Sequence, residues 1–262
     1  MKIPFVKYQG AGNDFVIVDE MGDFPAGVEW SVEQITQLCD RRFGVGADGL
    51  IRLKSHSAYD FEMVYYNADG GASTLCGNGG RCIVAYAHHL GYCAQQTTFL
   101  DIDGPHRAYV SRAGWVELEM GTITEIQTVL EGYFLDTGSP HYVQWVTDLA
   151  ELDVPTRGAA IRYAATFAPH GTNVNFVTGS LAQLHLRTYE RGVEAETLAC
   201  GTGVTAAALV AIAQSGQKGD FKVPVQAQGG ALVVRTEYDG QHFTNTWLCG
   251  PAEQVFTGMI EI

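Results

Sequence analysis

Two short runs of this chain, Cys76-Gly77-Asn78-Gly79 and Cys200-Gly201-Thr202-Gly203, share the pattern Cys-Gly-x-Gly, and each opens an apolar segment. The first segment, Arg81-Cys82-Ile83-Val84-Ala85-Tyr86-Ala87, runs on to Gly91; the second, Val204 to Ala213, runs on to Gly216. Segments apolar on nearly every face read as helices buried inside a domain, each closed by a C-capping glycine. Two such helices need two cores, and 262 residues suffice for two domains of about 100–150 residues.

The flanking sequence supports a repeat. Residues 5–8, 15–18, 50–53 and 61–66 read as strands, and Ser31 is a good N-cap for a helix reaching about Cys39. Strand-like segments at 97–102, 107–111 and 115–120 complete a first half, with Gly121-Thr122 as the boundary. In the second half, strands at 133–137, 142–146 and 184–189 precede Cys200. A fainter echo pairs Gly12-Asn13-Asp14-Phe15-Val16 with Asn173-Val174-Asn175-Phe176-Val177. The 31 glycines favour turn-rich β structure.

Several function classes drop out. A formal net charge of -13, with no Lys/Arg stripe, repels a polyanion, so no nucleic-acid partner is expected. Met1 to Lys7 lacks the apolar core of a secretory signal, and 204–213 is too short to span a bilayer; a soluble cytoplasmic protein with no membrane partner is the expectation. The cysteines at 39, 76, 82, 93, 200 and 249 form no Cys-x-x-Cys and no zinc spacing, so they read as reduced thiols with no metal site. The eight histidines offer no metal spacing either, and His88-His89 suit the last turn of a helix. Gly44-Val45-Gly46-Ala47-Asp48-Gly49 matches a dinucleotide fingerprint literally, but a helix-like segment precedes it and a strand follows, the reverse of the order that aims phosphate at a helix N-terminus.

What remains is thiol chemistry. A helix dipole contributes about 0.3–1 kcal/mol, under one pKa unit, so it leaves a thiol of pKa about 8.5 only partly ionised near neutrality. Two thiols sharing one proton give a base and an acid together. Inverting a carbon that bears hydrogen needs that pair, one group on each face. With reacting atoms about 3–3.5 Å from the carbon, the sulfurs would stand about 6–7 Å apart. Glycines after each Cys leave helix N–H groups open to a carboxylate. Arg191 of Glu190-Arg191-Gly192 is a natural carboxylate clamp and Glu190 an ammonium acceptor; the plainer reading is an ion-paired exposed turn. Asn13, Asn67, Asn78 and Asn173 sit in turn-like contexts where Asn is common for backbone reasons, yet together they offer neutral donors and acceptors to an amino acid head group. His141, after Ser139-Pro140, is placed in a turn, and Cys82 reads as core.

Gly10-Ala11-Gly12-Asn13-Asp14-Phe15, Asn67-Ala68-Asp69-Gly70, Cys76-Gly77-Asn78-Gly79-Gly80-Arg81-Cys82, Tyr189-Glu190-Arg191-Gly192 and Glu196-Thr197-Leu198-Ala199-Cys200-Gly201-Thr202-Gly203 together resemble diaminopimelate epimerase, over nearly the whole chain. The resemblance implies an α+β fold of two pseudo-symmetric domains, each a strongly curved, mostly antiparallel, barrel-like sheet wrapped around a central helix, with the active site in the cleft between them. The domains would be 1–120, joined by a C-terminal strand at about 251–262, and 121–250. It implies a cofactor-independent epimerase converting LL- to meso-diaminopimelate in lysine and peptidoglycan precursor synthesis, with a homodimer as the assembly to look for. The catalytic cysteines fall on Cys76 and Cys200, and the substrate-binding residues on Asn13, Asn67, Gly77, Asn78, Asn173, Glu190, Arg191, Gly201 and Thr202, with Ser139 and His141 as further candidates. Three positions depart from the family: Ser139 replaces Asn before Pro-His, Gly71 replaces Ser and should loosen its loop, and Gly49 has no side chain to offer. A proline or hydroxyproline racemase of the same fold is the alternative, but that group resembles Asp-Arg-Ser-Pro-Cys where this chain has Glu-Thr-Leu-Ala-Cys200.

Overall fold

The computed structural model describes residues 2–22, 24–25, 28–73, 75–111, 114–121, 123 and 125–261. It divides into two compact units, Met1–Leu118 with Gly250–Ile262, and Glu119–Cys249. Thr122, half of the expected boundary, lies outside the described residues.

In the first unit, β1 (Lys2–Gly10) pairs antiparallel with β2 (Asn13–Asp19), and α1 (Val32–Cys39) carries the chain to β3 (Gly49–Lys54), parallel to β2. β4 (Phe61–Asn67) turns back antiparallel, and α2 (Gly77–His89) crosses to β5 (Gln96–Asp101), parallel to β4. β6 (Gly104–Val110) and β7 (Trp115–Glu119) continue as a meander.

The second unit repeats that plan. β8 (Gln127–Val129), β9 (Gly132–Asp136) and β10 (Pro140–Trp145) are antiparallel, and α3 (Val154–Arg162) leads to β11 (Asn173–Ser180), parallel to β10. β12 (Gln183–Glu190) pairs back antiparallel, the short β13 (Ala195–Thr197) flanks it, and α4 (Gly201–Ser215) crosses to β14 (Gly219–Ala227), parallel to β12. β15 (Gly230–Tyr238) and β16 (Phe243–Pro251) end the meander, and β17 (Glu253–Glu261) pairs with β1 as β8 pairs with β9. Both parallel pairs in each unit come from a helical crossover, as parallel pairing requires. Each unit is therefore a mostly antiparallel sheet curled, without closing, around one helix, the α+β plan expected from the sequence.

Burial explains the curl. Phe15, Ile17, Ile51, Phe61, Phe99 and Leu118 pack with Cys82, Ile83, Val84 and Ala87 of α2, while the alternate residues Val16, Val18 and Leu50 pack with Ile35 and Leu38 of α1. Strands β2 and β3 are thus covered on both faces and carry continuous apolar runs. Helix α4 is buried from Val204 to Ile212 and touches β9, β10, β11, β12, β14 and β15, the environment that a helix apolar all round demands. Ser31 caps α1 in a full capping box with Gln34. Gly216 ends α4 in the left-handed conformation at φ 68°, whereas α2 ends at Leu90, with left-handed Gly91 one residue beyond the cap.

Candidate active site

Cys76 and Cys200 are the N-cap residues of α2 and α4. Both have extended backbones (φ -85°, ψ 116° and φ -112°, ψ 111°), and neither side chain caps its helix. Each carbonyl starts the helical ladder, accepting from the N–H of Gly80 at 2.7 Å and of Val204 at 2.9 Å. The two thiols therefore occupy equivalent places in two equivalent topologies. Cys76 is half-buried and Cys200 buried; none of the six cysteines is in a disulfide.

In the first unit, the residue two after the cysteine is gripped by the start of β2. Asn78 Nδ2 donates to Asn13 Oδ1, and Asn13 Nδ2 donates to Asp48 Oδ2 at 2.9 Å. Arg81, completely buried, donates to Asn78 Oδ1 at 2.8 Å and to the Gly77 carbonyl at 3.2 Å. Both ends of each amide are thus engaged, which fixes their orientation. Asp48 also accepts from Arg41 at 2.7 Å, and Arg41 clamps Asp14 through bonds of 2.6 and 2.9 Å. Burial raises the Asp14 carboxyl, but Arg41 and Lys7 outweigh it and hold the group below the usual carboxylate range. Asn67 is exposed at the end of β4, paired in register with Gly49 and outside this amide chain. Gly71 is tied rather than loose: its carbonyl accepts from Asn67 N–H at 2.9 Å, and its own N–H donates to Asp69 at 2.8 Å. A side chain at Gly49 has no room, since a Cβ there would lie 2.3 Å from the Tyr66 carbonyl oxygen.

In the second unit, Thr202 again stands two residues after the cysteine and is gripped by the start of a second strand. Its Oγ1 lies 2.8 Å from His141 Nε2, 3.2 Å from Ser139 Oγ and 3.4 Å from Cys200 Sγ. Thr137 Oγ1 donates to the Thr202 carbonyl at 2.9 Å. Asn173 Nδ2 donates to the Pro140 carbonyl at 2.9 Å, and its Oδ1 accepts the Arg191 N–H at 2.8 Å, so the turn carrying Arg191 is bonded to the same group of residues. Glu190 Oε2 accepts from Thr197 at 2.8 Å. The turn is held from behind by Glu194, which accepts from Gly192 N–H at 3.0 Å, Arg162 at 3.0 Å and Tyr163 at 2.8 Å. Gly201 is buried in the first turn of α4.

One expectation needs correction: His141 lies not in a turn but on β10, completely buried. Pro140 is the first residue of that strand, a position where its missing N–H costs no ladder bond, so Ser-Pro-His here marks a strand start. Burial, then the charge of Arg191, pushes the His141 imidazole down to about 3. Sequence reasoning also passed over Asp48, Arg81, Asn175 and Glu194. Asp48 sits inside the Gly-x-Gly-x-x-Gly stretch, whose tightness serves the Asp48 network. A cavity of about 510 Å³ lined by Glu125, Tyr133, Val210, Gln214, Tyr238 and Phe243 lies at the far end of α4, and none of the candidate residues lines it.

A duplicated fold in which each sheet curls around one central helix defines a class of two-unit α+β proteins, and solved structures with that fold match the chain over nearly its whole length. A Bacillus anthracis phenazine biosynthesis protein of the PhzF family superposes with a TM-score of 0.78 at 15% identity, covering 100% of both chains. A probable proline racemase from Agrobacterium radiobacter gives 0.68 at 15% identity, covering 99% of this chain and 92% of its own. Within the class, the family described as "Diaminopimelate epimerase" matches twice, over residues 5–125 and 133–255. The diaminopimelate epimerase of Flavobacterium psychrophilum is 47% identical over 252 residues, 95% of this chain and 97% of that protein. The chain belongs to the diaminopimelate epimerase family, a family of isomerases.

Proposed function

We propose that this protein interconverts LL- and meso-diaminopimelate by moving the α-proton between Cys76 and Cys200, one sulfur on each face of the α-carbon and no cofactor taking part. The observation that carries the reading is the repeated N-cap geometry: two thiols on extended backbones, neither side chain capping its own helix, one per unit. In each direction one thiolate removes the proton and the other thiol delivers one, so the roles exchange with the stereochemistry. The α-carboxylate docks on the N–H groups after the cysteines, at Gly77–Asn78 and Gly201–Thr202, where the helix ends favour negative charge. That placement also stabilises the carbanionic transition state. Asn13, Asn67 and Asn78 bind from the first unit and Asn173, Glu190 and Arg191 from the second, Arg191 supplying a bidentate grip on a carboxylate. Ser139 and His141 complete the second half-site through Thr202.

This reading places the protein in the cytoplasm, in supply of lysine and peptidoglycan precursors, with an amino acid as its small-molecule partner and a homodimer as the assembly to test by sedimentation. No helix among the described residues is long and apolar enough to cross a membrane. The proline racemase alternative rests on likeness of fold at 15% identity and has no sequence motif behind it here. Incubating the protein with LL-diaminopimelate and, separately, with L-proline in deuterated water separates the two. The expected result is α-deuterium and meso product from diaminopimelate only, abolished in Cys76→Ala and in Cys200→Ala. Label in proline, or undiminished turnover in either variant, rejects the proposal.

A further inference from the structure

Behind Thr202 a buried chain of side chains extends past His141 to Asn175 and Thr188, two residues that the function above does not use. Asn175 on β11 is fully buried, faces Thr188 of β12 and Val143 of the parallel neighbour β10 in register, and reaches His141 of β10 with its side chain. Its Nδ2 lies 3.0 Å from the Tyr142 carbonyl oxygen and 3.0 Å from His141 Nδ1, and its Oδ1 receives the Thr188 hydroxyl at 2.9 Å. A backbone carbonyl only accepts, so the atom facing both it and the ring must be the amide nitrogen. His141 Nδ1 must then be an acceptor without a proton, which leaves the proton of the neutral ring on Nε2.

From Nε2 the hydrogen bonds have one consistent direction. The Nε2–H group faces Thr202 Oγ1 at 2.8 Å and Ser139 Oγ at 3.0 Å. Ser139 Oγ also receives Asn173 Nδ2 at 3.4 Å, which fills its two acceptor sites and leaves its own proton for Thr202 at 3.2 Å. The Thr202 hydroxyl proton has one remaining acceptor in this network, Cys200 Sγ at 3.4 Å. We infer that Asn175 is a positioning residue that locks His141 in the Nε2–H tautomer and so directs the Thr202 hydroxyl proton onto the sulfur of Cys200. A hydrogen bond received by the thiolate favours the ionised form, so this relay biases the shared charge toward Cys200.

The first unit has the same three-place construction with the opposite polarity. There donation runs from Arg81 to Asn78 to Asn13 and ends on the anionic Asp48, away from the helix start. The two ends of the repeat differ in charge, and the directions of their hydrogen bonds follow from that. Gly203 belongs to the device: a Cβ there would stand 2.3 Å from Asn175 Oδ1 and 3.3 Å from His141 Cε1, so the second glycine of the motif admits the Asn175–His141 pair against the helix. The charged groups near this helix end are Glu190 at the end of β12, Arg191 after it, the Arg187–Glu196 pair, and Asp136 at the end of β9. Because buried His141 is pushed down to about 3, it stays neutral through the range in which a thiol titrates.

The inference rests on the reading of Cys200 as a working thiol, but its test needs no substrate, so failure of the epimerase assignment and failure of the relay are seen separately. Long-range proton–nitrogen NMR of His141 should show Nε2–H and a bare Nδ1 unchanged from about pH 5 to about pH 9; an Nδ1–H tautomer or an imidazolium in the native protein overturns the inference. The pH dependence of Cys200 alkylation, read by mass spectrometry in a Cys76→Ser background, supplies the second measurement. Asn175→Asp presents an acceptor to Nδ1, moves the ring proton there, and turns Nε2 into an acceptor that takes the Thr202 proton from sulfur. Its apparent Cys200 pKa should rise by about one unit, roughly tenfold less thiolate at a given pH below it. Thr202→Val should give the same rise, Thr202→Ser should restore the native profile, and the double variant should go no further than Thr202→Val alone. A folded Asn175→Asp with an unmoved profile, or Thr202→Val with an unmoved profile if Asn175→Asp does not fold, refutes it.

Discussion

Adding one methyl group at Gly203 tests the packing that the second half-site depends on. The new Cβ would lie 2.3 Å from Asn175 Oδ1, far inside contact distance. The asparagine cannot retreat, because Thr188, Tyr142 and His141 hold its two polar atoms. Helix propensity alone makes Gly→Ala favourable by about 1 kcal/mol. Against that stand overpacking, about 1–3 kcal/mol, and at least one broken buried hydrogen bond, about 1–3 kcal/mol. The net expectation for Gly203→Ala is a loss of about 1–5 kcal/mol, or a Tm lower by roughly 2–20 °C at about 2–4 °C per kcal/mol for a protein of this size. The equivalent glycine of the first helix is the internal control. The atoms nearest a Cβ at Gly79 are Ile51 Cδ1 at 3.2 Å and Phe15 ring carbons at 3.4 Å, side-chain atoms that can yield a few tenths of an ångström. Gly79→Ala should therefore be near neutral, with propensity offsetting the squeeze. Differential scanning calorimetry of both variants decides the matter, and equal melting temperatures would refute the reasoning.

Asp48→Ala removes the acceptor that orients Asn13, so KM for diaminopimelate should rise about tenfold with a smaller change in kcat; an unchanged KM contradicts the role given to that amide chain. Glu194→Ala frees the turn bearing Arg191 and should raise KM about five- to tenfold while the melting temperature moves little, which steady-state kinetics beside calorimetry will show. Because the Asp14 carboxyl is depressed in the folded state, its contribution is complete above about pH 4 and is lost as pH falls through the native value. Asp14→Asn should accordingly lower the urea midpoint at neutral pH and flatten its decline toward about pH 2; parallel acid limbs for the two proteins would contradict this.

The two central helices were legible because composition marks them: an apolar run after Cys-Gly-x-Gly has nowhere to go but a core, and Gly216 supplies a left-handed stop. Helix α3 was not read, since Pro155 and Gly158 resemble loop residues. Pro155 in fact stands in the first turn behind the Asp153 cap, and Gly158 lets the helix lie on β12, where a Cβ would meet Tyr189 Cβ at 2.4 Å. The hairpin of β14 and β15 carries period-two burial at Val223, Val225, Ala227, Leu232 and Val234, an alternation visible in the sequence itself. Cys76, Cys200, Asn13, Asn78, Asn173 and Thr202 could be singled out from their motifs. Asp48, Arg81 and Asn175 could not, because each reveals its purpose only through partners brought to it by the fold, as Asp48 does through Asn13 and Asn175 through His141.

The central claim, two thiols serving one stereocentre from opposite faces, is tested most directly by where deuterium appears in the first turnovers. With LL-diaminopimelate in deuterated water, separate acid and base predict deuterium at the α-carbon of the meso product and protium retained in unconverted LL substrate, because the base that removes the proton is not the acid that returns one. Equal early labelling of recovered substrate and product would mean that a single exchanging group works on both faces, and would contradict the account.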